Sequence, residues 1–379
     1  MRIAILGTRG IPSGYSGYET FAEEIGVRLV ARGHAVTVYA HKTMFAPDKR
    51  VKEYRGIKLK YLPALKGKNT SQFSHSFLST TGVIFSNTDV VLFCNAANGP
   101  WGLPLRIFGK KCCINVDGLE WMRPKWSNAG KKYFYFGAWC ATKFFNVVIT
   151  DAKGMQDYYK DEFNCDSTDI AYGADLKYAD NPDAVRALGL EPMNYYLIAS
   201  RLVPDNNADI IVKGFMKSNS KKVLAIAGGT VYKNPFEEEL RKIADPSRVK
   251  FLGHIDDFNL VKELHASAYA YTHGHEFGGT NPALLKGLAY GNCILALDTV
   301  FNREVLDDGK YGVLYKKDPD DFAAKLNMIE ADPQLAQSFR DKSRSRITER
   351  YTWDHIVDQY EEVFYRLRPD KKKEVASKN

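Results

Sequence analysis

The sequence predicts an α/β protein made of two doubly wound domains in tandem, with an interdomain cleft at the carboxyl ends of both sheets. Three observations carry this. Short apolar runs that end in glycine or polar residues alternate with segments of helical periodicity. The alternation restarts once, after the weakly periodic stretch 172–193. Glycine-rich turns stand directly before predicted helices in both halves, where open α/β sheets hold ligands.

In the first half, "RIAIL", "AVTVYA", "VVLFCN", "KCCINVDG" and "NVVITD" read as strands, and "ETFAEEIGVRLVARGH" reads as a helix stopped by Gly33. In the second half "YYLIAS", "KVLAIAGG", "VKFLGH", "AYAYTHG" and "CILALD" are the strand candidates. Expected boundaries are 1–172 for the first domain and 190–350 for the second. A closing amphipathic helix over 351–367, "YTWDHIVDQYEEVFYRL", follows, and the polar tail after it frays. "DPDD" at 318–321 reads as a helix opening.

The length of 379 residues fits two domains, and 45% hydrophobic with 26% charged residues is ordinary for a globular protein. Six cysteines, at 94, 112, 113, 140, 165 and 293, form no CxxC pair and mostly sit in apolar runs. They read as buried free thiols of a reducing compartment, not as disulfides or zinc ligands. "MRIAILGTRG" is too short before its glycine turn for the apolar core of a signal peptide, and no apolar run is long enough to span a membrane. The expected location is therefore cytoplasmic. A net charge of +8 favours anionic partners without naming one.

"LGTRGIPSGYSGYET" places Gly7, Gly10, Gly14 and Gly17 directly after the first strand. Glycine lets backbone approach a ligand, and the helix beginning near Gly17 offers free N–H groups. The spacing is not the G-x-G-x-x-G dinucleotide fingerprint. The alternative is a plain strand-to-helix turn.

"GTRGIP", "YSGYETF", "NVDGLEWMRPKW", "YGAD", "SRLVPDNN", "GGTNPALL" and "FNREV" occur in that order over nearly the whole chain. Together they resemble GT4-type glycosyltransferases, in the DUF1972-containing branch that includes bacterial β-1,4-rhamnosyltransferases of polysaccharide assembly. The resemblance implies a GT-B fold. It implies a nucleotide-sugar donor held by the second domain, an acceptor held by the first, and a last helix that crosses back to the first. It also implies retention of configuration without a cofactor or catalytic metal.

A donor of this kind leaves as a diphosphate, so the site needs cations and N–H donors. Arg201, after the "YYLIAS" strand, can grip phosphate oxygens. The lysine that many relatives carry five residues later is Asn206 here. Gly278, Gly279, Thr280 and Asn281 precede Pro282 at a helix start whose free N–H groups suit phosphates. With Gly10, Gly17, His254, Glu276 and Glu304 they make up the expected donor site. The superfamily's two helix-region glutamates align with Gly278 and Lys286. A charged lysine accepts no hydrogen bond from ribose hydroxyls. Three readings of Lys286 stand: it holds a phosphate or a different nucleotide; it is solvated while Glu276 or Glu304 takes the sugar contact; or donor binding is weakened. The helix geometry leads to the expectation that its ammonium reaches the donor phosphates or one of those two glutamates.

Asp117 ends "KCCINVDG" and can orient or deprotonate an acceptor hydroxyl, or else cap the next helix. Glu120 and Trp121 are the neighbouring acceptor candidates. From Arg106 to Phe145 basic and aromatic residues interleave, which suits an anionic membrane surface and a lipid-diphosphate-linked saccharide acceptor. The alternative is a core helix with a solvated basic face. Nucleic acid is not expected. The leading function is transfer of a sugar, L-rhamnose by resemblance, from a dTDP-, UDP- or GDP-linked donor. The alternatives are a glucosyl- or N-acetylglucosaminyltransferase using a UDP-sugar, and a non-catalytic carbohydrate- or complex-binding protein.

Overall fold

The computed structural model describes residues 1–12, 17–67, 70–229 and 235–376. The chain forms two compact units. The first comprises Met1–Met122, Trp126–Tyr172 and Trp353–Asn379; the second comprises Arg123–Lys125 and Gly173–Thr352.

The first unit is built on eight strands: β1 Arg2–Leu6, β2 Ala35–His41, β3 Glu53–Tyr54, β4 Ile57–Leu62, β5 Val90–Cys94, β6 Cys112–Asn115, β7 Val147–Thr150 and β8 Thr168–Asp169. Their order is β3-β4-β2-β1-β5-β6-β7-β8, parallel except at the β3–β4 edge. The second unit has β9 Tyr195–Ala199, β10 Val223–Ala227, β11 Val249–Gly253, β12 Ala270–His273, β13 Ile294–Leu297 and β14 Val313–Tyr315. They form a parallel sheet in the order β11-β10-β9-β12-β13-β14. In both sheets the first strand lies beside the fourth long strand, the reversal that opens a crevice at the strand ends in a doubly wound fold.

The sequence explains the depth of these strands. Val90 to Cys94 and Ile294 to Leu297 are buried along their whole length, because helices cover both faces of a parallel sheet. The ten predicted strands are all present. β3, β4, β8 and β14 escaped prediction. "IKLKYL" alternates apolar and lysine residues, whereas β3, β8 and β14 have only two or three residues and leave no period to read. Asp318 caps the helix Pro319–Ala331, accepting from the Asp321 N–H at 3.1 Å. Five of the six thiols are buried and all are free.

The helix Trp353–Leu367 packs in the first unit. Its apolar stripe, with Ile356, Val357, Val363 and Phe364 buried, contributes roughly 1.5–3 kcal/mol per side chain. Tyr360 meets Phe21 edge-on at 5.4 Å between ring centres, and its hydroxyl accepts from Asn115 Nδ2 at 2.9 Å. Arg32 bonds Asp358 at 2.6 Å and Glu361 at 2.5 Å. At the point of entry to the second unit, the Ala174 N–H donates to the Tyr351 carbonyl at 2.7 Å, so the segments that begin and end that unit run side by side. Among the described residues no helix is long and apolar enough to cross a membrane.

Buried histidines give the fold an acid-sensitive character. Burial pushes His41, His265 and His273 down to about 3 and His75 and His275 to about 4, from an ordinary 6.5. His41 and His75 stack with ring centres 3.7 Å apart. Between these values the unfolded chain binds more protons than the folded one, so stability falls as pH falls. We expect the melting temperature to drop steadily from about pH 6.5 to about pH 4, and a midpoint that stays flat across that window would contradict it.

Candidate functional site

In the second unit β9 and β12 are neighbours, and the loops that leave their carboxyl ends are tied together. Asn206 makes the tie. Its Nδ2 donates to the Arg201 carbonyl at 2.7 Å, and its Oδ1 lies 2.7 Å from His275 Nδ1. An amide oxygen only accepts, so His275 donates from Nδ1. Burial first, then the charge of Arg123, holds this imidazole near 4, so it is neutral at ordinary pH.

The loop before Asn206 is anchored from a distant point in sequence. Arg123 Nε donates to Asp205 Oδ2 at 2.8 Å, and both side chains are buried. The Asp205 carbonyl accepts from the Glu276 N–H at 3.1 Å. Asn207 Nδ2 donates to the Gly274 carbonyl at 2.8 Å and to Glu276 Oε2 at 3.2 Å. Gly274 has to be glycine: a Cβ there would stand 2.2 Å from the Asn206 carbonyl. Asn302, fully buried, bridges the His275 and Leu297 carbonyls at 3.1 and 2.8 Å.

Against this framework Arg201 stands out. It is exposed, and its guanidinium has no hydrogen bond or ion pair among the described residues. Its charge is felt at His275, which places it beside the β12 loop. That loop passes through Gly278, at φ +132°, then Gly279 and buried Thr280, into the helix Pro282–Ala289. Asn281 caps the helix, its Oδ1 accepting from the Ala283 N–H at 2.9 Å. An arginine without a side-chain partner among the described residues and a helix start, each following the carboxyl end of one of two neighbouring strands, suit an anion.

Other expected donor residues are placed differently. The Asn206 amide bonds protein on both sides, so it holds the Arg201 loop in place. Glu276 is paired with Lys317 at 2.6 Å, and Glu304 with Arg350 at 2.7 Å. Among the described residues Lys286 forms no ion pair with either carboxylate. Lys286 is exposed, has no ion pair among the described residues, and its charge acts on buried His265. Loss of hydration lowers its ammonium below the ordinary lysine value. His254, just past β11, is exposed and lies 3.1 Å from Asp256.

In the first unit the β1 loop lies against β5. Gly7, at φ +90°, would bring a Cβ 2.3 Å from the Cys94 carbonyl, and Gly10, at φ +117°, would bring one 2.4 Å from the Ala40 Cβ. Gly17 opens the helix Gly17–Ala31, and Gly14 lies outside the described residues. Buried Glu19 accepts from the Arg9 N–H at 2.8 Å, a contact the sequence reading missed although an acid in the first turn after a glycine loop signals it. Asp117, at φ +50°, is half-buried beyond β6. Its carboxylate hydrogen-bonds the Tyr18 hydroxyl, and burial followed by that carboxylate's charge raises the phenol well above its usual value. Glu120 accepts from Trp126 Nε1 at 2.6 Å. Trp121 donates to the Tyr158 hydroxyl at 3.3 Å within an aromatic cluster, so its indole stiffens this loop. Among the described residues no group of three or more His, Cys, Asp or Glu side chains converges as metal ligands would.

Two doubly wound parallel-sheet units, with the final helix returned to the first, define the GT-B class. Comparison with known proteins agrees. Residues 181–346 match the family described as Glycosyl transferases group 1, and residues 101–175 match the Domain of unknown function DUF1972. The chain is 24% identical to an uncharacterized glycosyltransferase, MJ1069, of Methanocaldococcus jannaschii over 44% of each chain. It is 32% identical to a phosphatidyl-myo-inositol mannosyltransferase of Mycolicibacterium smegmatis over 34% of each. The alignments thus span less than half the length of these relatives. A sucrose-phosphate synthase structure from Thermosynechococcus elongatus superposes with a TM-score of 0.82 at 16% identity, covering 97% of this chain and 98% of that one. Anabaena Alr3699/HepE, in complex with UDP-glucose, gives 0.75 at 16% identity over 96% and 99%.

Removing Arg123 would strand a buried carboxylate, and broken buried pairs cost about 3–5 kcal/mol. Arg123→Ala should therefore destabilise the second unit by that order in urea unfolding, with Arg123→Ala/Asp205→Ala recovering part of the loss. Equal stability of parent and single variant would show that the pair is dispensable.

Proposed function

We propose that this protein is a retaining glycosyltransferase that moves a sugar from a nucleoside-diphosphate donor to a saccharide acceptor, with the donor held at the β9 and β12 loops of the second unit. The observation that carries the reading is Arg201, an exposed cation without a partner beside the loop that starts the helix Pro282–Ala289. The match of residues 181–346 to a glycosyltransferase family supports it.

In this reading the bond from the anomeric carbon to the diphosphate breaks, and a bond to an acceptor oxygen forms on the same face of the sugar. Negative charge grows on the leaving phosphate, where the Arg201 guanidinium and the helix-start N–H groups stabilise it. The acceptor proton passes to the departing phosphate, and Asp117, fixed by Tyr18, orients the acceptor hydroxyl. No step calls for a metal or a cofactor. The motif order favours L-rhamnose as the sugar and a lipid-diphosphate-linked saccharide as the acceptor. Lys286 supports a second reading, a carbohydrate-binding protein that keeps the fold without turnover, because a lysine in place of an acid removes an acceptor for ribose hydroxyls.

A panel of dTDP, UDP and GDP in thermal-shift and donor-hydrolysis assays separates the two. The transferase reading expects stabilisation by one nucleotide together with turnover of its sugar conjugate; stabilisation alone favours the binding protein. Arg201→Ala removes charge-assisted hydrogen bonds worth about 1.5–3 kcal/mol, so donor affinity or turnover should fall roughly 10–150-fold. Unchanged kinetics and binding would mark Arg201 as an ordinary surface residue. Lys286→Glu should shift nucleotide affinity or preference by roughly tenfold or more. A variant that binds all three nucleotides like the parent makes the lysine incidental, and one that gains turnover absent from the parent supports the binding-protein reading.

A further inference from the structure

The second unit holds a cavity at the edge of its sheet opposite the β9 and β12 loops. Ser267 and Tyr290 end the helices Phe258–Ala266 and Pro282–Ala289, and each leads into the amino end of a strand, β12 and β13. With Glu263, Arg340, Asp341 and Arg344 they border a space of about 470 Å³, all of it within the second unit. Small-molecule sites occupy roughly 300–1,000 Å³.

Its walls are fixed by contacts of their own. Arg340 donates to the Ala266 and Ala268 carbonyls at 2.7 and 2.6 Å, and Arg344 to the Tyr290 carbonyl at 2.9 Å. The two guanidiniums thus cap the carboxyl ends of both helices, where cations are favoured. The Tyr290 ring stacks on buried His265 with ring centres 4.8 Å apart.

Three polar groups at this cavity are left over. Glu263 is 3% exposed; its Oε1 accepts from the Asp180 N–H at 3.1 Å, whereas its buried Oε2 has no hydrogen bond. Arg344 Nε is likewise buried without an acceptor. The Tyr290 hydroxyl has no hydrogen bond among the described residues. Burial pushes its phenol up to about 12, so it keeps a proton to donate. Buried polar groups are ordinarily paired, and a polar molecule in the cavity would pair these.

Their chemistry says which molecule. One group accepts, one donates and one does both. The charges balance: Glu263 and Asp341 stand against Arg340 and Arg344, while Lys262 lies between Asp180, at 3.5 Å, and Glu263, at 3.6 Å. An anion would meet the carboxylates, and a cation the guanidiniums. A neutral polyol fits, because every hydroxyl both donates and accepts. Tyr178, beside the lining residue Ala179, is 66% exposed and packs on the Arg344 guanidinium at 4.8 Å. An open aromatic ring at the rim suits the C–H face of a sugar ring.

We propose that this cavity binds a small neutral saccharide, separately from the donor site and without depending on that reading. Calorimetric titration of the full chain with D-glucose, L-rhamnose and maltose tests it, with inorganic phosphate and putrescine as the anionic and cationic counterparts. At least one sugar should bind more tightly than either ion. Glu263→Gln and Tyr290→Phe should each weaken that sugar roughly tenfold or more, with nucleotide stabilisation unchanged. Tyr178→Ser, at the surface, should weaken it too and keeps the test valid where Glu263→Gln does not fold. Arg201→Ala should leave sugar binding intact. No binding by any of the three sugars, tighter binding of phosphate or putrescine, or Tyr290 and Tyr178 variants that bind like the parent would each overturn the proposal. Sugar binding lost in Arg201→Ala would place the sugar at the donor loops and overturn it as well. Sugar is titrated without nucleotide and nucleotide stabilisation is read without sugar, so failure of this site and failure of the donor-site reading are distinguishable.

Discussion

A carboxylate removed from water has to be paired, and Asp205 meets that constraint through Arg123. The rest of the second unit's strand-end surface depends on this pair. The Asp205 backbone holds Glu276, the next residue ties Arg201 to His275, and the one after ties Gly274 to Glu276. Three consecutive residues, Asp205 through its backbone and Asn206 and Asn207 through their side chains, thus join the β9 and β12 loops. Their polar groups are spent on protein, and the Arg201 guanidinium has no hydrogen bond or ion pair among the described residues. A site for an anion needs this division: fixed neutral bonds that set the loop, and one charge kept free.

Much of the fold was legible because its signals are local. Eight of the ten predicted strands end where glycine, aspartate or asparagine interrupts an apolar run, and the restart after residue 172 marked a second sheet. The closing helix was legible from its apolar stripe, which now packs against Phe21 and Asn115 of the first unit. β14, three residues long, carries no period, so only the neighbouring strand reveals it.

The candidate site was legible in type but not in partnership. Arg201, the Gly278–Asn281 turn and Asp117 stand at strand or helix ends, where sequence patterns can place them. The partners of Glu276 and Glu304 are Lys317 and Arg350, 41 and 46 residues further on. Arg123 meets Asp205 across 82 residues. Nothing in periodicity signals such pairings, and for that reason Lys286 was matched to glutamates that already have cations. Asn206 illustrates the same limit. Its position five residues after Arg201 suggested a ligand contact, and its amide instead bonds the Arg201 carbonyl and His275.

The first unit follows a related logic with the opposite sign. Near the β1 and β6 ends it gathers Tyr18, Glu19 and Asp117, acidic or hydrogen-bonding groups. In the second unit Arg201, just past β9, has no ion pair among the described residues.

The most direct measurement is a crystal structure with the stabilising nucleoside diphosphate bound. The account predicts diphosphate oxygens within about 2.7–3.2 Å of the Arg201 guanidinium and of backbone N–H groups at the start of the helix Pro282–Ala289, with the Arg123–Asp205 pair intact. A nucleotide bound with its diphosphate away from the β9 and β12 loops, and Arg201 still facing solvent, would contradict it.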